Sequence, residues 1–245
     1  MKKPPRRAPK ALAPPAAYRR LLRACGPQGW WPVTPTGGRG PRYRPGFRGR
    51  LTERQRLEVC VGAILTQNTN WSNVEKALAR LRSAGIRDLA DFLPLPRRRL
   101  ERLIKPSGFY RQKARKVMTF VQHLDRRGGK VGRWLSGDLA RRREELLGLY
   151  GIGPETADSM LLYAAGRPAF VVDAYTLRIG RRLGWFRAAG TERAQAFLAR
   201  GLPRSAAVYG EFHALLVALA KRHCRKTPAC PGCPLEGACC HGRAG

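Results

Sequence analysis

Residues Leu146 to Thr176 read LLGLYGIGPETADSMLLYAAGRPAFVVDAYT. A helix is expected to end near Leu149. The turn Gly151-Ile152-Gly153 follows, and Pro154 suits the first position of a new helix, where its missing N–H costs nothing and its φ is already set. Two glycines permit positive φ and let another backbone come close. The N–H groups opening the second helix then face outward, where they can bind a phosphate without reading a base. Taken alone, Gly-x-Gly also marks a plain connector. Between two helical stripes of a very basic chain, it points to backbone contact with nucleic acid by Gly151, Gly153 and Thr156.

Asp173 comes twenty residues after Gly153, past the apolar run Ala169–Val172 and ahead of a helix holding Tyr175, Thr176 and Arg178. An aspartate at a helix start is ordinarily an N-cap. A fixed carboxylate can also stabilise positive charge on a sugar as its glycosidic bond breaks, and can orient or deprotonate an attacking water. One residue can do both, and its position alone leaves both readings open.

Around this stretch the apolar residues recur at three- and four-residue steps, as in Leu57–Val61–Ile64–Leu65, Val117–Phe120–Val121–Leu124 and Val208–Phe212–Leu215–Leu216–Leu219. Alternation at period two is almost absent, so the expected fold class is all-α. The 245 residues are 43% hydrophobic, enough for one large or two small cores, and no apolar run reaches the ~20 residues of a membrane span. Lys and Arg number 48 against 16 acids, a net charge of +32 that calls for a polyanionic partner. Residues 1–16 are Pro, Ala, Lys and Arg without periodicity and are expected to form a flexible basic arm. No apolar core of a signal peptide follows, which points to an intracellular, nucleoid-associated protein. Tyr18–Trp31 has room for one helix. Pro32–Arg50, dense in Gly, Pro and Arg, reads as a loop.

Five of the seven cysteines fall between 224 and 240, a clustering that favours metal ligation over a disulfide framework. Cys224, Cys230, Cys233 and Cys239 are spaced C-x5-C-x2-C-x5-C, and Cys240 offers another fourth ligand. Four thiolates so spaced can wrap an iron–sulfur cubane or a single zinc ion, and spacing does not choose between them.

Taken together, GIGPETA followed by VVDAYT resembles the helix-hairpin-helix DNA glycosylases of the endonuclease III superfamily. Ile64–Asn70 (ILTQNTN) is similar to the segment whose glutamine fills the gap left by a flipped nucleotide, which would give Gln67 that role. Pro106–Ala114 resembles the family's glycine–aromatic–Lys-Ala stretch. The resemblance runs from about Trp30 to Cys239, with the 34–51 loop as a departure. It implies that the hairpin grips double-stranded DNA, that Asp173 is the catalytic carboxylate and that the four cysteines hold a [4Fe–4S] cluster. Glu155 stands where bifunctional members carry the Schiff-base lysine, and a carboxylate forms no imine. The resemblance therefore implies a monofunctional enzyme with weak or absent strand cleavage. Gly29–Pro32 (GWWP), Gln67–Trp71 and Pro154–Asp158 are most similar to the 3-methyladenine DNA glycosylase type III branch, which suggests alkylated purines stacked on Trp30, Trp31, Trp71 or Tyr175.

Two helical lobes are expected. One is a six-helix unit over 52–168 that ends in the hairpin. The other joins 17–51 to 169–245 and carries Asp173 and the cluster loop at about 221–240. The chain is expected to act as a monomer, in a cleft between the lobes that Lys221 also faces. The rivals are an endonuclease III-like glycosylase with lyase activity on oxidised pyrimidines, and a non-catalytic protein that binds damaged DNA.

Overall fold

The computed structural model describes residues 12–47, 49–187 and 190–241. Along them run helices α1 (Pro14–Cys25), α2 (Glu53–Leu65), α3 (Trp71–Ser83), α4 (Leu89–Phe92), α5 (Arg97–Leu103), α6 (Tyr110–Arg126), α7 (Val131–Leu135), α8 (Leu139–Leu147), α9 (Pro154–Ser159), α10 (Ala174–Arg182), α11 (Thr191–Ala199) and α12 (Ala206–Arg222). No strand occurs among the described residues, where a single antiparallel bridge pairs Val33 with Arg42. The chain is all-helical. None of the described helices is long and apolar enough to cross a membrane.

Residues 1–11 of the expected basic arm lie outside the described residues. Its last residues are already helical, because α1 starts at Pro14 with proline in its first turn, where the missing N–H is no loss. That helix ends at Gly26 rather than running on to Trp31.

The chain divides into two units. The first comprises Met1–Gln28, Val172–Arg204 and Glu211–Gly245; the second comprises Gly29–Val171 and Ser205–Gly210. Residues 29–51, expected with the C-terminal half, thus belong to the second unit. The reason is apolar burial: Val33 sits in that unit's core, and Trp30, Trp31 and Leu51 pack against it.

In the second unit α2 is the central element. Every residue from Val59 to Leu65 is buried, so this helix is covered all round instead of showing the one-sided stripe its spacing suggests. It starts with a capping box, in which Gln55 N donates to Thr52 Oγ1 and Thr52 N donates to Gln55 Oε1 at 3.0 Å. Its C-terminal end is closed from below by Lys113 of α6, which is 2% exposed. Lys113 Nζ donates to Leu65 O at 2.8 Å and to Ser107 O at 2.6 Å, which meets carbonyls that the helix ladder leaves open. Burial, with the Lys116 charge nearby, pushes the Lys113 pKa down to about 8. In the first unit, Leu21, Ile179, Leu183, Leu198, Phe212, Leu215 and Leu216 supply the buried apolar residues, each contributing roughly 1.5–3 kcal/mol.

Candidate functional site

The hairpin lies wholly in the second unit. Helix α8 gives way to the turn at Gly148, and α9 starts at Pro154 with Gly153 as its N-cap. Only one of the two glycines uses the left-handed region: Gly151 has φ +75°, while Gly153 is extended at φ −93° and ψ 176°. A Cβ on Gly151 would come 2.4 Å from Lys116 Cε, whereas one on Gly153 would meet nothing within 4 Å. Behind the turn, Asp158 of α9 is fully buried and takes both arms of Arg143 from α8, with Nε–Oδ1 at 2.7 Å and Nη2–Oδ2 at 3.2 Å. This bidentate pair locks the two helices together.

Gln67, in the turn after α2, reaches this hairpin. Its Nε2 donates to Gly151 O at 3.0 Å and to Thr156 Oγ1 at 2.9 Å, and Lys116 Nζ donates to Gln67 Oε1 at 2.5 Å. Three residues singled out from sequence, Gln67, Gly151 and Thr156, thus form one polar cluster with Lys116. Glu155 stands exposed in the first turn of α9.

Asp173 caps α10 in the first unit. Its backbone is extended, and Oδ1 accepts Thr176 N at 2.7 Å, a cap worth about 1 kcal/mol. The residue is 9% exposed. Oδ2 lies 3.6 Å from His213 Nε2 on α12, an ion pair when the ring is protonated. Burial pushes the carboxyl pKa up, but the pull of His213 and of Thr176 outweighs it, so the group sits below the ordinary aspartate value.

Further along α10, Arg178 and Arg182 grip the loop that opens the cysteine cluster. Arg178 Nε donates to Cys224 O at 2.8 Å. Arg182 donates to Cys224 Sγ at 3.2 Å and to the carbonyls of Arg225 and Lys226 at 2.6 and 2.7 Å. Cys224, Cys230, Cys233 and Cys239 line one small cavity of about 30 Å³ with Ile179, Leu183 and Leu219. Burial pushes the Cys233 thiol up, and the three other thiols add to the shift. Cys240 is not part of this lining; it is exposed, with Sγ directed at Leu183 O. Lys221 lies exposed at the end of α12.

The aromatics part company. Trp30, Trp31 and Trp71 cluster in the second unit, with ring centroids 4.9–5.2 Å apart, and Tyr163 packs on Trp31 at 5.3 Å. Tyr175 belongs to the first unit, where the Arg178 guanidinium lies 5.1 Å from its ring centroid.

Residues 61–204, more than half of the chain, match the HhH-GPD superfamily of base excision DNA repair proteins. The chain belongs to that superfamily. A Methanocaldococcus jannaschii protein, whose name assigns it provisionally to the DNA repair glycosylases, is 36% identical over 91% of this HhH-GPD chain and 93% of its own. Endonuclease III of Thermotoga maritima is 33% identical over 75% of this chain and 82% of its own. Among solved structures, a trapped endonuclease III–DNA covalent intermediate superposes with a TM-score of 0.67 at 29% identity, covering 79% of this chain and 87% of the other. The 3-methyladenine DNA glycosylase of H. pylori bound to 1,N6-ethenoadenine gives a TM-score of 0.69 at 24% identity, over 86% and 98%. This last likeness bears on the fold alone.

Within this HhH-GPD chain, sequence reading missed His213 and Lys116, and it met Lys113 only as part of the Pro106–Ala114 stretch, with no role attached. His213 had a usable signal: it is the one ionisable residue in the otherwise apolar run Phe212–Ala220 of α12. The roles of the two lysines could not be read locally, because Lys113 reaches Leu65 of α2 and Lys116 reaches Gln67 in the turn after it.

Proposed function

We propose that the chain is a monofunctional glycosylase that binds double-stranded DNA and hydrolyses the N-glycosidic bond of an alkylated purine, with Asp173 as the catalytic carboxylate. The observation that carries this reading is the state of Asp173, which is buried, fixed by the α10 cap and held ionised. When the C1′–N bond breaks, its electron pair leaves with the base and positive charge grows on the sugar. An ionised carboxylate stabilises that charge. Because the group's pKa is lowered, it is better suited to this electrostatic task and to orienting water than to strong proton abstraction. Water oxygen then bonds to C1′ and releases its proton to solvent. Glu155, exposed in the first turn of α9, supplies no amine for an imine.

The hairpin supports the binding half of the proposal. Neither positive φ nor crowding within the protein explains Gly153, and the space over it suits a phosphate at the α9 N–H groups. Gln67 would leave its bonds to Gly151 and Thr156 to fill the duplex where a base has turned out. The Trp30–Trp31–Trp71 cluster would stack the extruded purine.

The four cysteines suit an iron–sulfur cluster by donor type and by lining one cavity that apolar side chains shield, with Arg182 donating to Cys224 Sγ, although among the described residues no three His, Cys, Asp or Glu side chains converge closely enough to hold a metal ion. Such a cluster, when bound, would supply a cross-link that holds the 224–239 loop in place. Cys224, Cys230, Cys233 and Cys239 would hold it. Purified protein should be yellow-brown, with absorbance near ~400 nm; a colourless protein with stoichiometric zinc overturns this assignment.

The endonuclease III-like reading draws support from proteins of that name, the Thermotoga maritima relative and the trapped endonuclease III–DNA intermediate among them. Borohydride reduction on lesion-bearing duplexes separates the two. No covalent adduct should form, alkylpurine should be released, and strands should break only after alkali. A trapped adduct refutes the monofunctional assignment, and inactivity on a broad lesion panel favours a non-catalytic binder.

A further inference from the structure

His213 is a polar side chain in an apolar stretch. It is 5% exposed, and every other residue from Phe212 to Ala220 of α12 is apolar. Taking an imidazole out of water into such a stretch costs free energy unless a polar partner meets it. Its place is fixed by its neighbour. Phe212 is fully buried, with the Tyr18 ring edge-on at 5.5 Å and the Trp185 ring at 6.4 Å between centroids. That packing sets the register of α12 and leaves His213 Nε2 3.6 Å from Asp173 Oδ2, at the start of α10.

The two oxygens of Asp173 are thus served from two elements. Oδ1 accepts Thr176 N at 2.7 Å within α10 itself, and Oδ2 faces the imidazole of α12. A carboxylate turns through a broad range about its Cβ–Cγ bond. The single hydrogen bond from Thr176 leaves part of that range open, and contact at the other oxygen closes it. For this His213 Nε2 must carry a proton, because a bare ring nitrogen would set its lone pair against those of the carboxylate. Contacts of this kind are often long in a free protein and tighten when substrate is bound. Burial pushes the Asp173 carboxyl up, and of the two residues that pull it back down only His213 comes from another element. Charge on a sugar is stabilised only where the carboxylate oxygens point, so orientation counts along with charge.

We propose that His213 is a positioning residue for the glycosidic step: its Nε2–H holds Asp173 Oδ2, so that the carboxylate meets the sugar in one orientation. This rests on the glycosylase reading and deepens it by giving Asp173 a buried partner that acts through it.

The test is single-turnover excision by the full chain from a duplex carrying one 7-methylguanine, with DNA affinity measured alongside. His213→Leu keeps bulk and removes the donor; His213→Gln keeps an N–H close to the place of Nε2. His213→Leu should slow excision by roughly tenfold to a hundredfold, with affinity changed less than about twofold, and His213→Gln should recover most of the loss. In the Asp173→Asn background, His213→Leu should bring no further loss, since the charge it positions is gone. An unchanged rate in His213→Leu, or losses that multiply in the double variant, would mean that His213 serves only the fold, and would overturn the proposal. Should His213→Leu unfold, His213→Gln against His213→Asn makes the same comparison, because the shorter amide places its N–H away from Oδ2; equal rates for these two overturn the proposal as well.

A second readout needs no catalysis. The side-chain carboxyl carbon of Asp173, followed by NMR in the free protein, should titrate at higher pH in His213→Leu than in wild type, because burial then meets a weaker opposing pull. If excision proceeds but neither rate nor titration responds to His213→Leu, the positioning role falls and the glycosylase reading stands. If no lesion of a broad panel is excised yet the titration shifts, the glycosylase reading falls and the Asp173–His213 pairing stands.

Discussion

The turn that carries Asp173 and the turn of the hairpin both set a polar side chain against the first turn of a helix, but they do so under opposite conditions. Asp173 is buried, its carboxylate held by Thr176 N and drawn by His213. Gln67 lies at a partly exposed turn and is held to Gly151 and Thr156 by neutral hydrogen bonds, with Lys116 adding one charged donor. A charge in a dry setting interacts strongly and tolerates no change. Hydrogen bonds at a wet surface each contribute about 0.5–1.5 kcal/mol and exchange readily for water or a ligand. The first arrangement suits chemistry at a fixed point. The second suits a latch that opens when DNA arrives.

The largest expected effect tests the fixed side. Asp173→Asn keeps the cap acceptor and the side-chain volume while removing the charge. Excision should fall by roughly 10²–10³-fold or more, with DNA affinity changed only slightly; a rate within tenfold of wild type would end the assignment. The pH profile carries the sign of the shift. With the folded-state pKa lowered, the carboxylate stays ionised down to below the ordinary aspartate range, so the acid limb of the rate should lie below ~3.9. Stability contributed by the pair is present above that value and is lost as pH falls through the lowered pKa. A limb near pH 6 would show that another group controls the step.

Next in size is the cysteine loop, also in the first unit. Cys239→Ser should lose the absorbance near ~400 nm and lower Tm, while Cys240→Ser should keep both, since Cys239 and not Cys240 lines the shared cavity. The reverse result would exchange the two ligands. On the second unit's side, Lys113→Met should destabilise the fold by about 2–3 kcal/mol, because Leu65 O and Ser107 O would be left buried without donors. Urea unfolding reads this directly, and a loss under 0.5 kcal/mol would show that water reaches those carbonyls.

The same contrast explains what could be read from sequence. Helical periodicity reveals which residues turn inward, so the all-α class, the hairpin helices and the Asp173 cap were legible. It does not reveal whether a helix's other face is covered. Helix α2 therefore looks one-sided on paper, and is buried all round in the fold. Nor does periodicity report partners distant along the chain. Asp173 meets His213 forty residues on, Gln67 meets Gly151 after eighty-four, and Trp30 joins the core of a unit whose helices begin beyond a loop. Spacing gathered the four cysteines because they are close in sequence. Of the last two, Cys239 and not Cys240 lines the cavity that the other three line.

The smallest effect is the sharpest probe of the latch, because it sets two neighbouring glycines against each other. Gly151 sits at φ +75° with Lys116 packed on it, so Gly151→Ala should cost about 1–2 kcal/mol in stability through backbone strain. Gly153 is extended and open, so Gly153→Ala should leave stability within about 0.5 kcal/mol. Its added methyl would instead stand where a phosphate is expected to approach the α9 N–H groups, and DNA affinity should drop several-fold at low salt. Thermal unfolding and binding titrations on both variants separate the two roles. If Gly153→Ala binds as tightly as wild type, the hairpin contacts DNA elsewhere than at the α9 start. If Gly151→Ala instead loses binding with no loss of stability, then the left-handed turn, and not the open glycine, is the surface that DNA meets.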